Sequence, residues 1–308
     1  MAMATNKSYI VENNYFGLAD VGTTLIPPIN QFWHYNLTDA ELIKFNMQAA
    51  KDSLQAAGYI DTNGDGIREA TASSWAVKNH YVTEGTALQY EMLIRREYPE
   101  ERDIAYWLQT QWREIGIDLE PSIIDETTLN TVVYLYQYDT MIWYWSADID
   151  PNYQLNVCTT AAINGWNDNH YSNTSYDENY SLSVRTLDKE QRKVYVDNCQ
   201  RIDYEDTYYI IMAYVHQTWA WRTDTFSGWG DWTVNPGRSV DNFWMGNPLY
   251  FDLVSTGKPP NGGPSLVLIA GAVGAVAVVA AVVVVFTMRG NKKRKEGGGK
   301  ESESPLGD

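Results

Sequence analysis

The sequence predicts an α/β fold followed by a single membrane-spanning helix. Three observations carry that expectation. Segments with helical spacing alternate with short aromatic and β-branched runs over the first 250 residues. Apolar residues make up 44% of the 308, with 12 Trp and 22 Tyr, enough for a sizeable core. Leu266 to Met288 then runs for 23 residues without a charge, long enough to cross roughly 30 Å of hydrocarbon.

The strongest helix signal spans Thr38 to Ala57. Thr38 and Glu41 have capping-box spacing, Leu42, Phe45, Ala49 and Leu54 mark one face, and Gly58 supplies the stop. A second helix is expected from about Glu100 to Ile115, with Ile104, Trp107, Leu108 and Trp112 on one side and Gly116 as terminator. Ile117 to Ile124 alternates like a strand, and Leu129 to Tyr136 suits a short helix. Tyr138 to Trp145 reads as a buried strand ended by Asp148–Pro151. The Asn, Thr, Ser and Gly of Asn152 to Asn179 predict a long ordered loop carrying Trp166. Helical spacing returns from Asp188 to Asp206, and Tyr208 to Trp221 suits one or two strands.

The expected organisation is a folded body over residues 1–254, a Gly/Pro linker over 255–265, a transmembrane helix over 266–288 and a basic tail over 289–308. Arg289, Lys292, Lys293, Arg294 and Lys295 follow the span directly, while only Lys258 precedes it closely. This bias places the tail in the cytoplasm and the body outside, a single-pass protein of the cell membrane. Met1 to Lys7 lacks the apolar stretch of an export signal, so the protein's true beginning is expected upstream. The formal charge of −16, from 39 acids against 23 bases, disfavours a nucleic-acid partner. Triplets for glycosylation at Asn6, Asn36, Asn173 and Asn179 fit an exported chain.

Cys158 and Cys199 both precede the span, where an oxidising exterior permits one disulfide; two unpaired buried thiols are the alternative. Asp61, Asn63 and Asp65, with Gly66, resemble the first half of a calcium loop. The twelfth position is Ala72 where a bidentate Glu is required, so a plain turn is the favoured reading and no metal or other cofactor is expected. Neither Gly-x-Ser-x-Gly, His-Glu-x-x-His nor a phosphate loop occurs, and the four His are scattered, so the chain reads as a non-enzyme. A glycoside hydrolase remains the competing class, because it needs only two carboxylates such as Asp148 and Asp150 at suitable separation.

The most informative stretch is Tyr138 to Pro151, an aromatic strand with Met141, Trp143 and Trp145 on one face and Asp148 at its exit. On the residues alone, the favoured reading is that these are core aromatics and that Asp148 caps the following turn. Ile26-Pro27-Pro28, Ala49-Ala50-Lys51, Ala57-Gly58-Tyr59, the Asp61 to Glu69 turn, Gln111, Ile115-Gly116-Ile117, Tyr138-Asp139, Trp145 to Pro151, Asp188 to Arg192 and Ile202 to Tyr209 follow one another in a familiar order. In that order the chain resembles the C-terminal half of the family 5 extracellular solute-binding proteins, over residues 8 to about 252. These are the dipeptide, oligopeptide and oligosaccharide receptors of ABC importers.

The resemblance implies a periplasmic-binding-protein-like (class II) fold, here mostly the second lobe with the return strands of the first. It implies a short peptide or an oligosaccharide as ligand, ABC permease subunits as partners and an N-terminal half of the receptor beyond this chain. It places Asp148 where the peptide-binding members receive the α-ammonium, one residue off the family spacing, and Trp145 beside the cleft. Trp143 and Trp166, without family counterparts, complete the candidate ligand-binding set. C-terminal anchors of this kind resemble those of archaeal receptors.

Overall fold

The computed structural model describes residues 1–146, 148–218, 220–229 and 251–257. They fall into two units, Met1–His216 and the residues from Gln217 onward. The expected membrane span and tail, and all but the start of the linker, lie outside the described residues. Among the described residues no helix is long and apolar enough to cross a membrane.

In the first unit, α1 (Lys7–Asn13) starts where the Asn6 side chain accepts from the Tyr9 N–H, and β1 (Ala19–Val21) follows. The helix expected from Thr38 begins nine residues later, as α2 (Met47–Ala56), with Asn46 as its cap. Glu41 does reach back to the Thr38 N–H at 2.7 Å, but the Thr38 hydroxyl also donates to that carboxylate. Two distant partners hold the following segment: the Ile43 N–H donates to the Tyr204 hydroxyl at 2.8 Å and the Asn46 N–H to the Met3 carbonyl at 2.8 Å. These tertiary bonds override local propensity.

A short ribbon of β2 (Tyr59–Ile60) and β3 (Glu69–Ala70) leads to α3 (Trp75–Lys78). The main sheet then forms from β4 (Gln89–Arg95), α4 (Pro99–Arg113), β5 (Asp118–Ile124), α5 (Glu126–Tyr134) and β6 (Thr140–Met141). All three strands run parallel in the order β5-β4-β6, with Met92 opposite Pro121 on one side and Thr140 on the other. Pro121 is tolerated because β5 lies at the sheet edge, where no neighbour needs the missing N–H. Ile94, Ile104, Leu108, Ile117 and Leu119 are fully buried between sheet and helix, each contributing about 1.5–3 kcal/mol. Gly116 ends α4 at φ +87°, as its sequence position requires, and a Cβ there would meet Arg68 Cγ at 2.6 Å.

The strand expected over Tyr138 to Trp145 pairs only at Thr140 and Met141; Ile142 adds one further bond to the Leu93 carbonyl and the chain then leaves the sheet. The loop expected over Asn152 to Asn179 is corrected twice. It holds α6 (Asn152–Asn156) and the start of α7 (Thr174–Arg185), which Asn173 caps by accepting from Ser175 and Tyr176. Next comes α8 (Lys189–Asp206), capped by Asp188. Its buried Gln200 accepts from Thr24 at 3.0 Å and Tyr35 at 3.2 Å and donates to the Trp33 carbonyl at 2.8 Å, tying the helix to the Pro27–Pro28 segment. β7 (Ala213–Val215) closes the unit by pairing antiparallel with β1. Beside this pair Gly22 lies so close to Ile211 that a Cβ would sit 2.2 Å from its carbonyl oxygen.

Of the two readings left open for Cys158 and Cys199, the structure shows the unpaired one. Both are free, fully buried thiols. Each faces its own acceptor, Cys158 Sγ lying 3.9 Å from Asp203 Oδ1 and Cys199 Sγ 3.8 Å from the Tyr176 carbonyl. In the second unit, β8 (Phe226–Ser227) pairs antiparallel with β9 (Val254–Ser255).

Candidate functional site

In an open parallel sheet, ligands bind beyond the carboxyl ends of the strands. That edge is marked here by Arg95 on β4, Ile124 on β5 and Met141 on β6. Arg95 is buried and paired with Glu101 and, at 3.0 Å, with Glu126. Its guanidinium lies 3.8 Å from the Tyr98 ring and 4.6 Å from that of Tyr144. With its charge compensated on every side, Arg95 rigidifies the edge.

Once β6 leaves the sheet its aromatics part company. Trp143 packs with Leu93, Leu129 and Val133, whereas Trp145 joins the cluster of Leu25, Leu155 and Tyr176. Of the shared face expected for Met141, Trp143 and Trp145, the first two keep it against Leu93, Leu129 and Val133 and Trp145 leaves it, because strand alternation holds only while pairing continues. Trp145 instead meets Tyr153 and Trp166, with ring centroids 6.1 Å away at 77° and 68°; Tyr153 and Trp166 lie 6.5 Å apart at 68°. Edge-to-face contacts of this kind fix ring orientation. Trp166 remains 51% and Tyr153 38% exposed, so the cluster presents an aromatic wall to solvent.

Behind the wall, the Trp145 Nε1–H donates to the Tyr209 hydroxyl at 3.1 Å, and Tyr209 donates to Asp168 Oδ1 at 2.7 Å. Asp168 is buried, and that burial raises its carboxyl above the usual range against the opposing hydrogen bonds of Tyr209 and Tyr208 and, after them, the nearby Trp145 indole.

Asp148 is exposed on the turn that follows. Its Oδ1 accepts from the Ile149 N–H at 2.6 Å and its carbonyl accepts from Asn30 Nδ2 at 2.6 Å. Asp150 is held by Arg192 through two bonds, of 2.8 and 2.7 Å, which lower its carboxyl below the usual range. Trp145 and Trp166 are thus brought together and Trp143 is separated from them. Tyr153, Asp168, Tyr209 and Arg192 enter from segments that sequence reading left without a role. Arg192 and Tyr209 close two of the stretches that carry the family resemblance, and Asp168 lies two positions after Trp166.

At the calcium-like turn, oxygens of Asp61, Asp65 and Glu69 lie within 4.8 Å of one another. The turn occupies those oxygens itself: Gly64 and Gly66 donate to Asp61 at 2.7 and 3.0 Å, Ile67 to Asp65 at 2.7 Å, and Thr62 to Glu69 at 2.7 Å. The arrangement does the work of a turn.

Comparison with known proteins places this geometry in context. The profile described as bacterial extracellular solute-binding proteins, family 5 (middle), matches residues 1–166. Oligopeptide-binding protein AppA of Bacillus subtilis is 26% identical over 250 residues, covering 80% of this chain and 43% of AppA. The AppA structure, in complex with a nonapeptide, gives a TM-score of 0.60 at 22% identity over 69% of this chain and 40% of that one. A mannohexaose-bound periplasmic oligopeptide-binding protein from Thermotoga maritima gives 0.64 at 18% identity over 83% of this chain and 48% of that one. These likenesses show a mixed α/β periplasmic-binding-protein fold, and the chain spans less than half the length of these relatives. The chain belongs to the bacterial extracellular solute-binding proteins, family 5.

Proposed function

We propose that this chain forms the second lobe, with the return strands of the first, of the substrate receptor of an ABC importer, and that it captures short peptides outside the cell. The observation that carries the reading is the exposed aromatic wall of Trp145, Tyr153 and Trp166, reached by the chain after it leaves the carboxyl end of β6, with Tyr153 near the Asp148 charge. Aromatic rings offer contact area to side chains of varied shape, and the Asp148 carboxylate offers a charge-assisted bond to a terminal ammonium. An N-terminal half would supply the facing lobe, which closes by hinge motion, and permease subunits would accept the cargo. Leu266 to Met288 would tether the receptor, with its body outside and the basic tail inside.

Oligosaccharides are the second reading, favoured by the exposed Trp166 ring, whose flat face suits a sugar. Titration calorimetry of the full chain with pentaalanine and with mannohexaose separates the two. Heat with pentaalanine alone supports the peptide reading, heat with mannohexaose alone supports the sugar reading, and turnover of chromogenic glycosides defeats both in favour of a hydrolase. External protease acting on intact cells checks the topology: it should remove the body and spare the tail.

A further inference from the structure

Asp168 presents a problem that the fold must solve. It is 1% exposed, and its Oδ2 is buried without a hydrogen-bond partner. A carboxylate so placed is costly. Its Oδ1 accepts from Tyr209 at 2.7 Å and from Tyr208 at 3.3 Å. The Tyr138 hydroxyl donates to the Asp168 carbonyl, and the Tyr136 hydroxyl to that of Asn167 at 2.8 Å. Two separate segments therefore converge on this residue of the loop after Trp166: the approach to β6 and the exit from α8.

The direction of the bonds is informative. An indole N–H can only donate, so Tyr209 must accept from Trp145 and has its single proton left for Asp168. Asp168 fixes that proton, the proton fixes the Tyr209 lone pairs, and the lone pairs fix the Trp145 indole. Remove the acceptor at the buried end and the Tyr209 hydroxyl is left with the Tyr208 hydroxyl, a longer contact of 3.4 Å, so its lone pairs swing away from the Trp145 indole.

We propose that Asp168 is a positioning residue for ligand binding, orienting the Trp145 indole through the Tyr209 hydroxyl so that the wall of Trp145, Tyr153 and Trp166 is set before a ligand arrives. Pre-set side chains spare the ordering cost of binding. The proposal rests on reading this wall as the ligand surface, and it extends that reading to a buried acid that touches no ligand.

Two measurements on the full chain test it. The first needs no ligand: the Trp145 indole N–H resonance, assigned by its absence in Trp145→Phe. It should move upfield in Tyr209→Phe and shift in Asp168→Leu, which removes the acceptor; Tyr209→Phe keeps the ring and so serves even where the buried substitution impairs folding. The second is a double-mutant cycle with pentaalanine and mannohexaose as probes. Asp168→Leu and Tyr209→Phe should each weaken the bound probe about tenfold, the cost of leaving a buried donor astray, and neither should weaken it further in a Trp145→Phe background. An unmoved indole resonance, or losses that add fully to that of Trp145→Phe, overturns the proposal. Should the wild type bind neither probe, the wall is not a ligand surface in this chain by itself, while the indole resonance still decides the role of Asp168.

Discussion

Arg192 forks onto Asp150, Nη1 at 2.8 Å from Oδ2 and Nη2 at 2.7 Å from Oδ1, and its guanidinium lies 4.8 Å from the Trp33 ring. One side chain on α8 thereby joins the Asp148–Pro151 turn to the segment that follows Pro27 and Pro28, and Asn30 binds the Asp148 carbonyl from that same segment. Bidentate pairing adds geometric definition beyond its energy.

Because Asp150 is half exposed, the ion pair itself contributes little, at most about 1 kcal/mol. Arg192→Met should therefore lower the melting temperature only slightly. Pentaalanine binding should weaken by more, roughly fivefold, since the turn that carries Asp148 loses an anchor. Paired scanning and titration calorimetry check this. A large stability loss with unchanged binding would assign Arg192 to the core alone. The Asp150 carboxyl is lowered, so the pair's contribution is present above the usual carboxylate range and disappears as pH falls through it.

Burial pushes the Cys199 thiol up to about 12 and raises that of Cys158 well above the usual thiol range. Thiolate is the reactive form. Neither thiol should react with a disulfide reagent at pH 8 in the native protein, and both should react once guanidinium unfolds it. Immediate native labelling, or two thiols missing after unfolding without reductant, contradicts the buried pair.

Asp203 lies on the buried face of α8, 3.9 Å from Cys158 Sγ. Burial first, then the charge of Asp206, raises its carboxyl to about 8. The folded chain therefore keeps a proton that the unfolded chain releases near pH 4. Between these values the folded state binds more protons, so stability is greatest at the acidic end and falls as pH rises towards 8. Asp203→Asn removes this slope, and its melting temperature at pH 8 should exceed that of the wild type by about 5 °C or more. Equal pH slopes for the two proteins would show that Asp203 is ionised in the fold.

Elements were legible where local chemistry and tertiary context agreed. Asp188 caps α8 as its position predicts, and Gly116 takes the positive φ that ends α4. They were missed where the two diverged. The Thr38–Glu41 pair forms its bonds, yet Tyr204 and Met3, distant in sequence, hold the following segment out of a helix. α7 buries little besides Tyr176 and Ser183, so its polar sequence reads as loop until Asn173 is seen to cap it. At the site, Trp145 and Trp166 stood out by their type. The Asp168–Tyr209 bond joins residues 41 apart, and no local spacing encodes it.

Asp148 is where two readings of one carboxylate give different numbers. Its Oδ1 accepts from Ile149 N–H, the bond a turn-capping Asp makes, and Asn can replace Asp in that task. The second carboxylate oxygen has no such backbone duty. If it receives a peptide's ammonium, Asp148→Asn removes the charge from that contact and should cost about 2–5 kcal/mol of pentaalanine affinity, the range for truncating one member of a desolvated charge pair. Mannohexaose carries no charge and should lose far less. A turn cap alone predicts a lower melting temperature with both affinities nearly unchanged. Titration of wild type and Asp148→Asn against both probes, beside their thermal scans, separates these outcomes: a peptide-selective loss at constant stability establishes the ammonium role, and a shared small loss returns Asp148 to the turn.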